Sequence, residues 1–562
     1  MKTILATFAA LLVTVSLSAQ QRKERFSVVE ATIPEMQEAL RSGRVTSREL
    51  VTQSLIRIAL YEDALNAVMT VNPKVLDEAD RLDRERAAGK IRGPLHGIPI
   101  ALTDHSHTVG VPTTGGALAF AGLMVPYDAT VTKNLRDAGA IIIAKTGMTE
   151  LANWVSSTGM PTNYNSLHGY GFNPYDPRRD PRTATGDGRP ALATGGSSSG
   201  IGTAVSFWAG NVGTETSGSI LSPSNQNMLV GIKPTVGRVS RYGVIPITAD
   251  QDTPGPMART VTDAAIMLGA LEGASPDPND PATARCTPPP NRDYTAFLKK
   301  DGLKGARIGI PRAFFYDKAT PPGAKEPRGG LNDDQLKVMN EAIAAMKAQG
   351  AVVVDPADIP SVVDPDEKNN YLSWGRCTDF DELKEEKCTI DFAYGMERDF
   401  NAWLRSLGDV APVKTLGELR EWNRAHEKLG TLKYGQGLLD FSDAMDQEIF
   451  RERYEADRER DIFLSAAHGI DEVMNAQKLD ALIFPGGWGA GIAARPGYPT
   501  VIVPFGMVPN APSTAFPEGC DAKPSPFGVS FTGLACSAPT LLRLAYAFEQ
   551  ATKKRVPPPL FP

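Results

Sequence analysis

The chain has 562 residues, of which 42% are hydrophobic and 22% charged, and its formal net charge is −6. This composition is typical of a soluble globular protein with a large core, and it excludes the disordered, collagenous and disulfide-scaffold classes. Nucleic-acid binding is excluded as well, because phosphate contacts require clustered lysine and arginine. The five cysteines and six histidines form no ligand-like cluster. We therefore expect no metal site.

The first nineteen residues have the order of a secretory signal peptide. Lys2 precedes an apolar run over residues 4–15, and small residues that include Ser18 and Ala19 follow. An N-terminal membrane anchor is the alternative, but the run is shorter than the ~20 residues that span a bilayer. We therefore predict a signal peptide over residues 1–19, a mature chain that starts near Gln20, and a secreted or periplasmic location.

After this segment the pattern is first helical and then alternates. Residues 33–90 have helical spacing, with Thr46 and Glu49 placed as a capping box. Six short β-branched runs then follow, separated by stretches of helix length, and this alternation predicts an α/β fold with a buried sheet. The six runs are residues 98–102, 140–144, 306–310, 351–354, 482–484 and 500–503.

Residues 364–475 differ from the rest of the chain in being charge-rich and helix-like. We interpret them as a helical insertion that covers the sheet, with the charged runs as solvated helix faces. No internal repeat is present, and the proline-rich stretch over residues 276–290 is typical of a surface connection. The sequence therefore predicts one domain over residues 30–557.

Two cysteines are close enough in sequence to form a small disulfide-bonded loop. Cys377 and Cys388 are flanked by charged residues, and in an exported protein such a pair can be oxidised. Buried free thiols explain them equally well. The pairing stays open from the sequence.

Glycine and small hydroxyl residues crowd two loops within residues 194–237. Glycine accepts unusual backbone dihedral angles, and successive N–H groups in such loops form a concavity that binds anions. A single loop of this kind is more often a flexible turn. Two of them, flanking one apolar segment, indicate a ligand site.

Two short motifs in the chain match known catalytic patterns by accident. Residues 196–200 fit the G-x-S-x-G nucleophile elbow with Ser198 at its centre, but no clear strand precedes them. The only later histidines, His426 and His468, lie in charged, helix-like sequence. Residues 145–147 match the K-T-G of serine β-lactamases, but the chain contains no S-x-x-K.

The same region resembles the amidase signature family and is most similar to the bacterial peptide amidases. The resemblance is carried by GTETSGSI, KPTVGRVSRYGVIPI and QDTPGPMARTVTDAA, and it extends upstream to GPLHGIPIAL and downstream to SPFGVSFTGLA. It covers the chain from about residue 33 onward. It implies a single large α/β domain, in which helices cover both faces of a mixed, mostly parallel β-sheet.

The resemblance also implies which residues act. The family's nucleophile falls on Ser219, and its bridging serine, which relays the proton and sits on a cis peptide bond, falls on Ser197. Ser198 is implied as a hydrogen-bonding partner that supports this pair. The oxyanion hole is implied to consist of the main-chain N–H groups of Thr216, Ser217 and Gly218.

The catalytic base of the family is missing. A neutral, buried lysine followed by Asp-Asn takes the serine proton in this family, but here the apolar strand runs into Thr103, Asp104 and His105. A threonine hydroxyl accepts no proton near neutral pH. Three explanations stay open: efficient catalysis has been lost, His105 or His107 acts as a substitute base, or Lys145 reaches the site.

The sequence thus predicts an amidase-type serine hydrolase that needs no cofactor, is impaired by Thr103, and acts on carbon–nitrogen bonds other than peptide bonds. Its expected partner is a small-molecule or peptide amide substrate, without nucleic acid and without stable insertion into a membrane. One alternative is a catalytically silent homologue that binds ligands in the same pocket. Another is a component resembling the tRNA-dependent amidotransferases, which would need a cytoplasmic partner and which the signal peptide argues against.

Overall fold

The structure is a computed structural model that describes residues 26–157, 159–182 and 186–562. The predicted signal peptide lies outside the described residues. In the described part of the chain, no helix combines the length and the apolar character needed to cross a membrane.

Eleven of the strands in the described residues form one sheet, in the order β1-β3-β2-β6-β8-β7-β14-β15-β13-β9-β10. Two further pairs, β4 with β5 and β11 with β12, form small ribbons. The strands are β1 (Val68–Val71), β2 (Pro99–Thr103), β3 (Ile141–Thr146), β4 (Tyr164–Asn165), β5 (Gly169–Tyr170), β6 (Gly210–Glu215), β7 (Val230–Lys233), β8 (Thr253–Ala258), β9 (Arg307–Gly309), β10 (Val352–Val354), β11 (Gly375–Arg376), β12 (Cys388–Thr389), β13 (Ala481–Pro485), β14 (Thr500–Val508) and β15 (Ser525–Thr532).

The large sheet is mixed, but it is not mostly parallel. Strands β3, β2 and β6 are parallel on one side, and β13, β9 and β10 on the other. The six remaining neighbouring pairs are antiparallel. Strands β14 and β15, for example, are joined by residues 509–524 without a helix, whereas a parallel neighbour requires a crossover. The expected single α/β domain with a mixed sheet is confirmed, and its mostly parallel character is wrong.

Helices cover both faces of this sheet, as side-chain alternation along the buried strand β2 shows. Ile100 and Leu102 belong to one apolar core, together with residues of the segment 129–135 and of 261–271. Ala101 between them belongs to a second core, which includes residues of 51–65 and 75–82. Successive side chains of a strand point to opposite faces, so both faces of the sheet are buried.

The α-helices are α1 (Ile33–Arg41), α2 (Ser47–Leu65), α3 (Val75–Ala87), α4 (Thr130–Asp137), α5 (Ile201–Ala204), α6 (Leu221–Gln226), α7 (Val261–Leu271), α8 (Asp333–Ala348), α9 (Pro360–Val363), α10 (Phe380–Glu385), α11 (Asp391–Gly395), α12 (Asn401–Ser406), α13 (Leu416–Ala425), α14 (Gly437–Asp443), α15 (Arg451–Ile462), α16 (Asp471–Ala476), α17 (Ala490–Ala494) and α18 (Ala538–Thr552).

The predicted capping box is present at the start of α2, where the side chains of Thr46 and Glu49 each accept a hydrogen bond from the other residue's main-chain N–H.

Residues 364–475 contain helices from α10 onward and reach into α16. Their buried residues from 390 to 445 form a separate apolar cluster with residues 117–125, 151–155 and 245–247. The C-terminal part of the segment, including Ile470, joins the main core instead. The segment therefore packs over the loops that follow the strand ends. The candidate site lies among these loops.

Candidate active site

The candidate site lies where the parallel strands β2 and β6 end. β2 ends at Thr103 and β6 ends at Glu215, and the two strands are hydrogen-bonded in parallel. The carboxyl ends of parallel strands meet at one edge of a sheet, so the loops that follow them face a common space. The fold thus brings residues 103–107 and 216–219 to the same edge.

The two glycine-rich loops of the sequence pack directly against each other at this edge. Gly195 has a φ of +102°, and a Cβ atom there would lie 2.4 Å from the Cα of Pro223. A Cβ atom at Gly196 would lie 2.8 Å from the Cα of Ser219. The loop can approach this closely only because glycine has no side chain.

This approach pairs the hydroxyls of two serines. The Oγ of Ser219 donates to the Oγ of Ser197 across 3.2 Å, and Ser197 is 3% exposed. The carbonyl of Ser197 accepts from the N–H of Thr149 at 2.9 Å. Asp355–Pro356 is the only cis peptide bond in the part of the chain that the structure describes. The expected cis bond at Ser197 is therefore wrong, and the bond has the trans form that costs least for a residue other than proline.

Thr103 does not take part in this pair. It is fully buried, and its hydroxyl lies 3.9 Å from the sulfur of Met148, a weak acceptor. In the described part of the chain, the Thr103 hydroxyl makes no hydrogen bond to Ser197. The relay of hydroxyls that starts at Ser219 therefore ends at Ser197.

Lys145 is buried nearby but is fully engaged elsewhere. Its Nζ donates to the carbonyl of Ser106 at 2.8 Å and to Oγ1 of Thr113 at 3.1 Å, and it forms an ion pair with Asp104 at 3.1 Å. An ammonium group has three N–H donors, and these three contacts use them all. Burial lowers the pKa of Lys145, and Asp104 opposes that shift. Lys145 therefore fixes the loop after β2 and does not reach Ser197.

The two histidines of this loop are weak bases. Burial, and secondarily the charge of Lys145, lowers the pKa of both His105 and His107 to about 3. The Nδ1 of His105 lies 3.2 Å from the hydroxyl of Thr214, and the Nε2 of His107 accepts from the indole of Trp403 at 2.8 Å. Neither ring contacts Ser197.

The hydroxyl of Ser198 is buried and is hydrogen-bonded to the main chain. It is 2% exposed, and its hydroxyl donates to the carbonyl of Thr214 at 3.0 Å and accepts from the N–H of Thr214 at 2.9 Å. His426 is bonded to the carbonyl of Trp422, and His468 to two carboxylates. Neither histidine contacts Ser198, which agrees with an accidental match to the nucleophile elbow.

The loop that precedes Ser219 is held from behind by two carboxylates. Glu215 accepts from the N–H groups of Ile220 at 2.7 Å and Leu221 at 2.9 Å, and Asp252 accepts from the hydroxyl of Thr216. Burial raises the pKa of Asp252 to about 7. Gly218 has a φ of +102°, in the region that favours glycine. The three residues expected to form the oxyanion hole line the pocket, and they are Thr216, Ser217 and Gly218.

The serine pair opens into a pocket of about 450 Å³, whose walls the sequence did not reveal. One wall includes Ala152 and Asn153, in a turn where Leu151, Ala152 and Asn153 all have left-handed φ angles of 41°, 58° and 71°. Another comes from residues 364–475 and includes Arg376, Phe392 and Leu438. Among the described residues no group of three or more His, Cys, Asp or Glu side chains could hold a metal ion.

Two disulfides are present. Cys377 is bonded to Cys388, which resolves the pairing that the sequence left open. Cys286 is bonded to Cys536 across 250 residues of sequence, a pair that the sequence analysis missed. Cys520 is free.

Comparison with known proteins gives one consistent family. The family model described as Amidase matches residues 49–542. A probable amidase of Arabidopsis thaliana is 32% identical, over 98% of this chain and 95% of that protein. A peptide amidase from Stenotrophomonas maltophilia is 32% identical and has a TM-score of 0.77, over 94% of this chain and 98% of that one. A component of the glutamyl-tRNA(Gln) amidotransferase from Geobacter is 38% identical, but over only 58% of this chain and 60% of that protein. The chain therefore belongs to the amidase family, whose chemistry is hydrolysis of the amide carbon–nitrogen bond.

Proposed function

We propose that this chain hydrolyses a carboxamide through an acyl-enzyme on Ser219. The observation that carries the proposal is the 3.2 Å hydrogen bond from Ser219 to Ser197 at the wall of the pocket. A serine hydroxyl becomes a nucleophile when a neighbouring group takes its proton as it attacks. Ser197 is the group placed to receive that proton.

The chemistry follows from this geometry. The Oγ of Ser219 attacks the amide carbonyl carbon, and its proton passes to the Oγ of Ser197. The oxygen that becomes negative is stabilised by the N–H groups of Thr216, Ser217 and Gly218. Ser197 passes its own proton on to the amide nitrogen, so the C–N bond breaks, the protonated amine leaves, and an ester remains on Ser219, which water then hydrolyses to the acid and the free serine. Each well-placed oxyanion donor contributes on the order of 3 kcal/mol to such a reaction.

The relay lacks its last member. Ser197 must itself lose a proton to a base, and Thr103 fills the position at which the resembling family keeps that base. Lys145 uses its three N–H groups on Ser106, Thr113 and Asp104, so it has no free lone pair to accept a proton, and His105 and His107 have pKa values of about 3. We therefore propose that the chain turns over amides slowly, and that none of these three side chains replaces the lysine.

The absent base also favours a second candidate function. A chain with an intact pocket, an intact serine pair and no base would serve as a catalytically silent homologue that binds amides. The amidotransferase alternative has less support, because that relative matches 58% of the chain, whereas the probable amidase from Arabidopsis matches 98%.

The substrate that we propose is a carboxamide, as a small molecule or at a peptide end, rather than an internal peptide bond. A pocket of about 450 Å³ is in the range that encloses a small ligand. Similarity to an enzyme named a peptide amidase supports a peptide-derived amide among the candidates.

We also propose that the mature chain is secreted or periplasmic. The order of Lys2, the apolar run and the small residues supports this, and the two disulfides suit an oxidising compartment. N-terminal sequencing of exported protein tests the proposal. A mature chain starting near Gln20 is expected, and a cytoplasmic product with Met1 intact would contradict it.

Labelling and turnover test the nucleophile. The purified mature chain is incubated at high concentration with simple amides, and separately with a serine-reactive probe whose attachment site is mapped by mass spectrometry. We expect slow ammonia release and a label on Ser219, both abolished in Ser219→Ala and both retained in Ser222→Ala, a matched serine of the same pocket. A label on Ser198 or Ser222, or turnover that survives Ser219→Ala, would refute the assignment.

A further inference from the structure

The pocket contains one charged side chain. Its described lining consists of apolar, glycine, hydroxyl and amide residues together with the guanidinium of Arg376. Within the part of the chain that the structure describes, no carboxylate lines this pocket. A cation in an otherwise neutral pocket produces a positive field that an anionic ligand group would compensate.

The guanidinium is oriented by its neighbours but is not saturated by them. Its central carbon lies 3.4 Å from the centroid of the Phe392 ring, and its side chain is 25% exposed. The nearest carboxylate, on the fully buried Asp391, lies 3.5 Å from Nε. Asp391 already accepts from the N–H of Phe392 at 2.8 Å and from the amide of Gln251. In the described residues Arg376 makes no hydrogen bond through its side chain; Nε is buried beside Asp391, and the N–H donors of the two terminal nitrogens remain available.

The chain holds Arg376 rigidly at this place. Arg376 belongs to β11, which pairs with β12, and the disulfide between Cys377 and Cys388 ties the two strands together directly beside it. Stacking on Phe392 fixes the plane of the guanidinium. An arginine pre-ordered in this way loses little side-chain entropy when it binds a ligand.

We infer that Arg376 is the specificity-determining residue of this pocket and that it binds a carboxylate carried by the substrate. The planar guanidinium presents parallel N–H groups that match the two oxygens of a carboxylate, and partial burial strengthens such a pair. This inference rests on the proposed function, because it places the substrate in the pocket of Ser219. The substrate class is then an amide that also carries a carboxylate, such as the monoamide of a dicarboxylic acid.

A binding measurement tests the inference without requiring turnover. In a Ser219→Ala background, calorimetry compares the monoamides of succinic, glutaric and adipic acid with neutral amides of the same chain length. We expect the best-fitting monoamide to bind about 10- to 100-fold more tightly than its neutral counterpart, as for hydrogen bonds to a charged group. Arg376→Gln should abolish that preference, and Arg376→Lys should keep part of it.

Arg460 provides the matched control. It also stacks on an aromatic ring, 4.0 Å from the centroid of Trp374, but it does not line the pocket. Arg460→Gln should leave the carboxylate preference unchanged. Equal binding of charged and neutral amides, or a preference that survives Arg376→Gln, would overturn the inference.

Turnover and carboxylate binding test the proposed function and the role of Arg376 separately. Turnover that depends on Ser219 but shows no preference for carboxylates keeps the function and removes the role of Arg376. Carboxylate binding that is lost in Arg376→Gln supports this inference even in a chain whose Ser219 never reacts, and that chain would then be the silent binding homologue.

Discussion

Ser219 donates a hydrogen bond to Ser197 across 3.2 Å, and Ser197 is bonded to no base in the described chain. In the resembling family a base completes a serine pair of this kind, but here the pair has no base beside it. The proposed nucleophile and its proposed relay partner lie at one pocket together with the loop expected to form the oxyanion hole. The acceptor that would complete the relay is replaced by Thr103, whose hydroxyl faces the sulfur of Met148.

Ser198→Ala should destabilise the fold. The hydroxyl of Ser198 satisfies both the N–H and the carbonyl of Thr214 and is 2% exposed. Its removal leaves buried main-chain groups unpaired, which costs about 1 to 3 kcal/mol in the free energy of unfolding. Urea denaturation measures the loss. Ser513→Ala, at a loop position that is not buried, should change the stability little, and equal effects of the two substitutions would contradict the structural role.

His105→Asn should weaken the dependence of stability on pH. The folded-state pKa of His105 is about 3, below its ordinary value of 6.5, so between these values the unfolded chain binds a proton that the folded chain does not. The stabilisation is therefore complete above pH 6.5 and is lost as the pH falls toward 3. The substitution removes this one-proton difference between the unfolded and folded chains. The slope of the free energy of unfolding against pH should therefore fall by up to about 1.4 kcal/mol per pH unit.

Chemical denaturation of the native chain and of His105→Asn at pH 4.5 and 6.5 measures this difference. Burial raises the pKa of Asp252 to about 7, so between 3.8 and 7 the folded chain holds a proton that the unfolded chain has lost, and its contribution to the pH slope has the opposite sign. Asp252 is present in both proteins, so its effect cancels in the comparison. Identical pH slopes would show that His105 is not held neutral by the fold.

Removing the two disulfides should destabilise the protein unequally. The bond between Cys286 and Cys536 spans 250 residues, and the bond between Cys377 and Cys388 spans 11. The loop-closure entropy of the unfolded chain makes the longer loop more stabilising by about 2 to 3 kcal/mol. Thermal unfolding of the Cys286→Ser/Cys536→Ser and Cys377→Ser/Cys388→Ser proteins compares them directly. A larger loss from the short loop would contradict this model.

Parts of the fold were predictable because their side chains carried a pattern. All six β-branched runs coincide with strands, among them β2 and β3 beside the site. Strands β6 (GNVGTE) and β8 (TPGPMA) were missed, because glycine and proline conceal a strand that is stabilised by its neighbours in the sheet. The antiparallel centre of the sheet was missed with them, since the order of strands is a property of the whole fold.

The site was predictable only where a motif marked it. The serine loops carry a glycine and hydroxyl pattern, and the position of Thr103 was recognised from the strand that precedes it. Arg376 had no such signal, because one arginine beside a cysteine in a charged segment resembles any surface residue. The left-handed turn at Leu151 to Asn153 was equally hidden, since it contains no glycine. Long-range packing, rather than local sequence, brings these residues to the pocket.

Turnover of simple amides by Thr103→Lys tests the central claim most directly, namely that the chain is an amidase lacking only its base. In the resembling family the lysine at this position is the base for the bridging serine, and burial at the end of β2 favours its neutral form. Loss of one member of such a relay typically costs about 10⁴-fold in rate, so the substitution should raise the Ser219-dependent rate by a large part of that factor. Thr103→Met, which also places a long side chain here but without an amine, should stay as slow as the native chain. A folded Thr103→Lys protein that remains inert, or a native chain already as fast as this variant, would contradict the account.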